Sequence, residues 1–404
     1  MGQIEISEKG GARVTMDRRK SRLCLIVCAV LAVILCWRWQ RIFYLMCADY
    51  ILSDMPAHIR LALGHNDYSL ASFIVRALWG LLGEARGQTA LSLVLTANQL
   101  LGILTLWILL RHMFPETDGA FALLAVLLAH VCGPWILPWQ REMYLGVYNG
   151  NILHNMTLLF SRTPIPLVLL FFFRLWDARG KSLRLADWLG LSICLLISTL
   201  FKPSFLGAFA PAVFVLLVWD FVKTRARGFK NEVLIGLAVL PSLGAMLWSS
   251  AVLFAEDFAG TSSGVTLRAL TLPLLLSLLI VYLRGLLLPL WSHFVQGVRE
   301  ERERGHLHII WAVLGAAILE ALTLAETGFR ANDGNFEWGS LALCPTVFAV
   351  AITLLFRRLA GTDWKKRPDW IRAVIGILLL LGHLAVGVYC LCRPGHAGYD
   401  WFYF

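Results

Sequence analysis

RRKSRLCLIVCAVLAVILCWRWQRIFY, residues 18–44, decides the class of the chain. A basic start is followed by an apolar run long enough to cross a bilayer as a helix, since about 20 residues rising roughly 1.5 Å each span some 30 Å of hydrocarbon. The run is too long for the apolar region of a secretory signal and lacks a small-x-small cleavage site, so it reads as a retained anchor helix. Blocks of the same kind recur at about 89–110, 119–138, 157–176, 187–203, 205–222, 232–254, 267–290, 307–325, 338–356 and 370–392. The expected fold is therefore all-α, a polytopic transmembrane helical bundle of about 11 spans. Lys202, Pro203 and Ser204 separate the fifth and sixth blocks, which read either as two spans or as one re-entrant hairpin.

Composition agrees. Of 404 residues 58% are hydrophobic and 15% charged, against roughly 25% charged in soluble proteins. A net charge of +10 would suggest nucleic acid in a soluble chain. Here the basic residues sit in alternate loops, so nucleic acid is not an expected partner. With the N-terminus cytoplasmic, most Lys and Arg fall in the N-tail, the 174–184, 223–230 and 299–304 loops and the 357–372 loop. That asymmetry predicts N-in and C-out in a plasma (inner) membrane. The chain divides into a basic tail over 1–21, one transmembrane domain over 22–392 and an outer tail over 393–404. The nine cysteines show neither metal spacing nor a disulfide framework. There is no P-loop, no nucleotide-binding glycine fingerprint and no internal repeat.

Polar chemistry gathers in the segments expected outside. The first, about 46–88, holds Asp49, Asp54 and His58; Asp54 and His58 are four apart and share a helix face. Residues 70–82 repeat apolar positions at helical spacing, as in a helix lying in the membrane interface, with Arg76 placed to snorkel. Farther on come Asn151-Ile152-Leu153-His154-Asn155, then Lys202-Pro203-Ser204. Glu256-Asp257 follows, and then Glu326-Thr327-Gly328-Phe329-Arg330 with Gly334-Asn335-Phe336-Glu337-Trp338-Gly339. Among the charges inside the blocks are Arg284 and Glu320. Counting helical rise from Arg268 places Arg284 deep, toward the cytoplasm, while Glu320 faces the bundle or a wet cavity.

A transferase acting on a lipid-linked sugar needs a carboxylate base, cations for the departing phosphate and an apolar groove for the lipid. The outer acids Asp49 and Asp54, the cations Lys202 and Arg330 and the bundle itself supply these types. Asp54 reads equally as the cap of a helix starting near Pro56. Lys202 reads equally as a snorkelling helix end, and Arg330 as a partner of Glu326. Asp54, Glu256 and Asp257 would suit a divalent cation, although no cofactor is required by their spacing.

The anchor helix, the long first outer loop opening with Asp, the interfacial helix and the span number together resemble the GT-C superfamily of integral membrane glycosyltransferases, and the polar segments quoted above are similar to those of bacterial membrane proteins of that kind. The resemblance implies transfer from a polyprenyl-phosphate sugar donor to a glycan or lipid acceptor, with inversion and with Asp54 or Asp49 as base, helped by His58. His154, Asn155, Lys202, Glu326, Arg330, Asn335 and Glu337 are then candidates for substrate contacts. A polysaccharide polymerase or ligase is the alternative within the same chemistry; a transporter or flippase is disfavoured because polar groups cluster at one face instead of threading the spans.

Overall fold

The computed structural model describes residues 4–6, 12–14, 18–51, 53–64, 69–135, 153, 155–253, 264–296, 298, 300–327 and 335–392. Two short strands, β1 (Ile4–Ile6) and β2 (Ala12–Val14), come first, and the helices are α1 (Arg18–Cys47), α2 (Met55–Leu63), α3 (Leu70–Leu82), α4 (Glu84–Met113), α5 (Gly119–Ala129), α6 (Met156–Arg162), α7 (Ile165–Asp177), α8 (Leu185–Phe201) and α9 (Ser204–Thr224). They continue with α10 (Phe229–Leu237), α11 (Leu240–Leu253), α12 (Leu272–Gly285), α13 (Leu287–Trp291), α14 (Glu301–Thr323), α15 (Trp338–Ala360) and α16 (Arg367–Cys392). Nine helical stretches among the described residues are long and apolar enough to cross a membrane, and α5 and α8 are shorter apolar helices. Together they account for all eleven apolar blocks.

The bundle has two chemically distinct ends. At the basic end, arginine–carboxylate pairs join neighbouring helices: Arg174–Asp187 (3.3 Å), Arg179–Asp220 (2.9 Å), Arg302–Asp177 (2.9 Å), Arg357–Glu303 (2.8 Å) and Arg358–Asp369. The far end gathers the α1–α2 turn, α3, the start of α6, the α8–α9 break and the start of α15. Helix α1 turns much of its apolar surface outward through Leu23, Ile26, Val30, Val33 and Trp37, as expected of a lipid-facing helix. Helix α15 is the axis, with 94% of its apolar window buried. Association in lipid relies on close backbone approach rather than on the hydrophobic effect, and α15 is rich in small residues for that purpose. A Cβ on Gly339 would lie 2.8 Å from the Ser204 carbonyl.

Helix breaks in a bilayer must satisfy the backbone groups they free. Between α6 and α7, Thr105 Oγ1 donates to the Thr163 carbonyl (2.9 Å) and Asn98 Nδ2 to the Leu159 carbonyl (2.9 Å). Where α5 stops, Gly133 N donates to the His383 carbonyl at 2.9 Å. The His383 imidazole, fully buried in α16, bridges two breaks: Nδ1 lies 2.6 Å from the Gly133 carbonyl and Nε2 accepts from Leu288 N at 3.4 Å. Both contacts are met by one neutral tautomer with its proton on Nδ1.

Several expectations change in detail. Among its described residues the block 119–138 is helical only to Ala129, because Gly133-Pro134 breaks the pattern and Pro134 has no N–H to give. Helix α4 begins at Glu84, so the first loop is shorter than 46–88. Helices α8 and α9 are two separate elements, not a shallow hairpin. Their basic ends pair at Asp187 and Asp220, and α8 rises about 25 Å over its 17 residues. The segment leading to Arg284 is not one continuous helix. Residues Val265–Leu267 form a strand, β3, paired antiparallel with Leu324–Glu326, β4, and helix starts only at Leu272. The Arg284 carbonyl accepts from Trp135 N (3.4 Å). Arg76 donates to the Ala62 carbonyl (3.2 Å) at the end of α2 instead of snorkelling.

Candidate active site

The α1–α2 turn explains how the two acids of the first loop come to differ. Asp49 adopts φ +59°. Its N–H bonds the Met46 carbonyl and the Tyr50 N–H bonds the Leu45 carbonyl, at 3.2 and 2.8 Å. This is a Schellman termination, with Asp in the left-handed position that Gly usually fills. Asp49 is exposed and its backbone ends α1.

Asp54 occupies the N-cap position of α2 but makes no side-chain cap bond. Pro56, in the first turn, has no N–H to offer, and Met55 N donates to Ser53 Oγ (3.3 Å). Ser53 thus takes over the cap. The Asp54 carboxylate instead accepts from Asn155 Nδ2 at 2.9 Å, across 101 residues of sequence.

Asn155 is buried and caps α6: its Oδ1 accepts from Leu158 N (3.0 Å) and from Thr157 Oγ1 (2.8 Å). An amide whose oxygen is claimed by a helix N–H has its NH₂ orientation settled, and here that group is aimed at Asp54. His58, one turn along α2, places Nε2 3.4 Å from Asn155 Nδ2, which makes Nε2 the acceptor. Asp54, His58 and Asn155 therefore form one constellation.

The α6 helix joins this constellation to the α8–α9 break. Phe160 stacks on Phe201 (5.1 Å, 17°), and Ser198 Oγ donates to the Ser161 carbonyl (3.0 Å). Lys202 follows Phe201 at once, and its Nζ sits 4.7 Å over the Trp338 ring at the start of α15. Cation–π contact holds the ammonium at this end of the bundle. One turn into α9, Gly207 makes room for Glu320, whose carboxylate a Cβ there would strike. Glu320 therefore faces the bundle, and one of its oxygens is buried without a hydrogen bond among the described residues.

The segment before α15 is tied down. Asn335 Nδ2 donates to Glu326 Oε2 (2.6 Å). Glu337 is 2% exposed and pairs with Arg268 at 3.6 Å. Arg268 is in turn fixed at the end of β3, its N donating to the Thr323 carbonyl (2.7 Å) and its Nε to the Leu324 carbonyl (3.3 Å). The sequence reading singled out neither Arg268 nor Trp338 as a partner. Aromatic and basic residues beside an acidic loop were the available signal, but the pairing depends on the short β3–β4 ladder. His154, Arg330, Glu256 and Asp257 lie outside the described residues.

No family model and no curated protein matches the chain. Among solved structures it is similar to ArnT from Cupriavidus metallidurans bound to undecaprenyl phosphate, at 14% identity over 91% of this chain and 72% of that one, with a TM-score of 0.48. A likeness of that degree says nothing about residue roles or activity.

Proposed function

We propose that the chain is a membrane glycosyltransferase that moves a sugar from a polyprenyl-phosphate donor to a glycan or lipid acceptor, inverting the anomeric centre, with Asp54 as general base. The observation that carries this reading is the Asp54 carboxylate, released from capping its own helix and held by Asn155. In the reaction Asp54 takes the acceptor hydroxyl proton as that oxygen bonds to the sugar C1. The C1–O bond to the lipid phosphate breaks, and the phosphate leaves with the electron pair. His58 orients Asp54 through Asn155. Lys202, and Arg330 with it, neutralises the leaving phosphate. A carboxylate correctly placed for proton transfer accounts for about 10²–10⁴ of the rate.

The phosphate role has its own readout. Lys202→Ala and Arg330→Ala should raise the apparent Michaelis constant for donor while changing that for acceptor little. Unchanged donor dependence in both variants removes the assignment.

The reading also requires the far end to be extracytoplasmic in a plasma membrane, with the N-terminus inside. In a background cleared of reactive native cysteines, a cysteine in 332–334 should react with an impermeant reagent on intact cells, and one in 223–230 should not. The reverse pattern would put Asp54 on the side opposite to the one proposed.

A further inference from the structure

We infer that His112, Asp177 and His306 form a binding site for a divalent transition-metal ion, best matched by Zn²⁺, at the basic end of the bundle. The site lies at the end opposite Asp54 and does not depend on the reading of that residue. The three come from the last turn of α4, the last residue of α7 and the second turn of α14. Their ligand atoms all lie within 4.8 Å of one another. His306 Nε2 donates to the two Asp177 oxygens at 3.0 and 3.1 Å, and an ion bound here takes the place of that proton between the same atoms.

The rings are set in advance. His306 is 1% exposed and lies flat on Phe173 (4.2 Å, 5°), while His112 stacks on it at 5.7 Å and 20°. Two imidazoles and one carboxylate are a ligand set for Zn²⁺ that leaves a fourth position for water.

Arg302 shows that the space between these groups accepts a cation. Its Nε donates to Asp177 Oδ2 (2.9 Å) and its Nη2 lies 3.0 Å from His112 Nε2. An arginine has no lone pair to offer, so His112 Nε2 must be the acceptor, the unprotonated form a metal requires. The Arg302 side chain is 46% exposed and has solvent to swing into when an ion replaces it. A bound ion would tie α4, α7 and α14 together at one point. Because α7 continues from α6 and Asn155, that clamp reaches the helix that holds the far-end constellation.

The test uses tag-free full-length protein in detergent, stripped with chelator, loaded with Zn²⁺ and desalted, with metal counted per chain. About one equivalent is expected, together with a higher melting temperature and, on loading with Co²⁺, the absorption of a tetrahedral site. His112→Gln and Asp177→Asn should each weaken Zn²⁺ binding at least about tenfold. Arg302→Ala should tighten it, because the competing guanidinium is gone. If these side chains form only a hydrogen-bonded lock, Arg302→Ala lowers the melting temperature and gains no Zn²⁺ affinity. That result, or Zn²⁺ retained in full by folded His112→Gln and Asp177→Asn proteins, overturns the proposal.

Discussion

Asp54→Asn should lower transfer by about 10²–10⁴ while leaving expression, monodispersity and melting close to wild type. The substitution keeps the shape and retains an oxygen able to accept from Asn155 Nδ2, so the contact to α6 is preserved. Helix α2 loses nothing either, because its first N–H is served by Ser53. What disappears is the charge and basicity of the carboxylate. Asp49 provides the control. Its left-handed backbone at the end of α1 is a position that Gly fills with less strain. Asp49→Gly should therefore retain activity and stability. If Asp54→Asn stays active and Asp49→Gly does not, the base has been placed on the wrong acid.

The largest expected loss of stability is at Gly387. A Cβ there would overlap the Val131 carbonyl and stand 3.1 Å from the Cys132 carbonyl carbon. Both obstacles are backbone, so no rotamer change relieves them. Residues 131–135 are held against α16 by the two Gly133–His383 contacts, and separating them also exposes the Leu288 N–H that His383 satisfies. Gly387→Ala should cost about 3 kcal/mol or more, seen as a markedly lower melting temperature in detergent. Gly315→Ala is the matched control: a Cβ there meets nothing within 4 Å, and Ala is the better helix former by up to about 1 kcal/mol. Equal melting for the two variants would contradict the packing of 131–135 on α16.

The bundle was legible because transmembrane helices announce themselves by composition. All eleven apolar blocks carry helix, and the helix read from 70–82 is α3. Its buried side, Ala71, Ser72 and Val75, lies opposite the apolar stripe, leaving Phe73 and Leu81 exposed. Hydropathy says less about where helices begin. Helix α14 starts six residues before its apolar block because Glu301 and Glu303 suit a first turn, where acids favour the helix dipole. The block read from 267 begins instead with strand, because Val265–Leu267 pair with Leu324–Glu326 and helix starts only at Leu272.

The candidate site was legible as residue types and not as partners. Asp54, His58 and Asn155 were all singled out, yet the reading left Asp54 balanced between cap and base. In the structure Ser53 bonds Met55 N and the Asp54 side chain makes no cap bond, a local competition that residue types alone do not resolve. Pairs such as Lys202 with Trp338 and Arg268 with Glu337 join elements far apart in sequence. The same holds for His112, Asp177 and His306, whose separations match no metal-ligand motif and become meaningful only once α4, α7 and α14 pack together.

The most direct measurement follows a polyprenyl-phosphate monosaccharide incubated with purified wild-type protein in lipid nanodiscs, by mass spectrometry, with a pool of cell-envelope glycans and lipids as acceptors. Acceptor-dependent loss of the donor, release of free polyprenyl phosphate in equal amount and a product of inverted anomeric configuration are expected, all absent with Asp54→Asn. A donor that stays intact with every acceptor, or one consumed equally by wild type and Asp54→Asn, would contradict the proposed transfer.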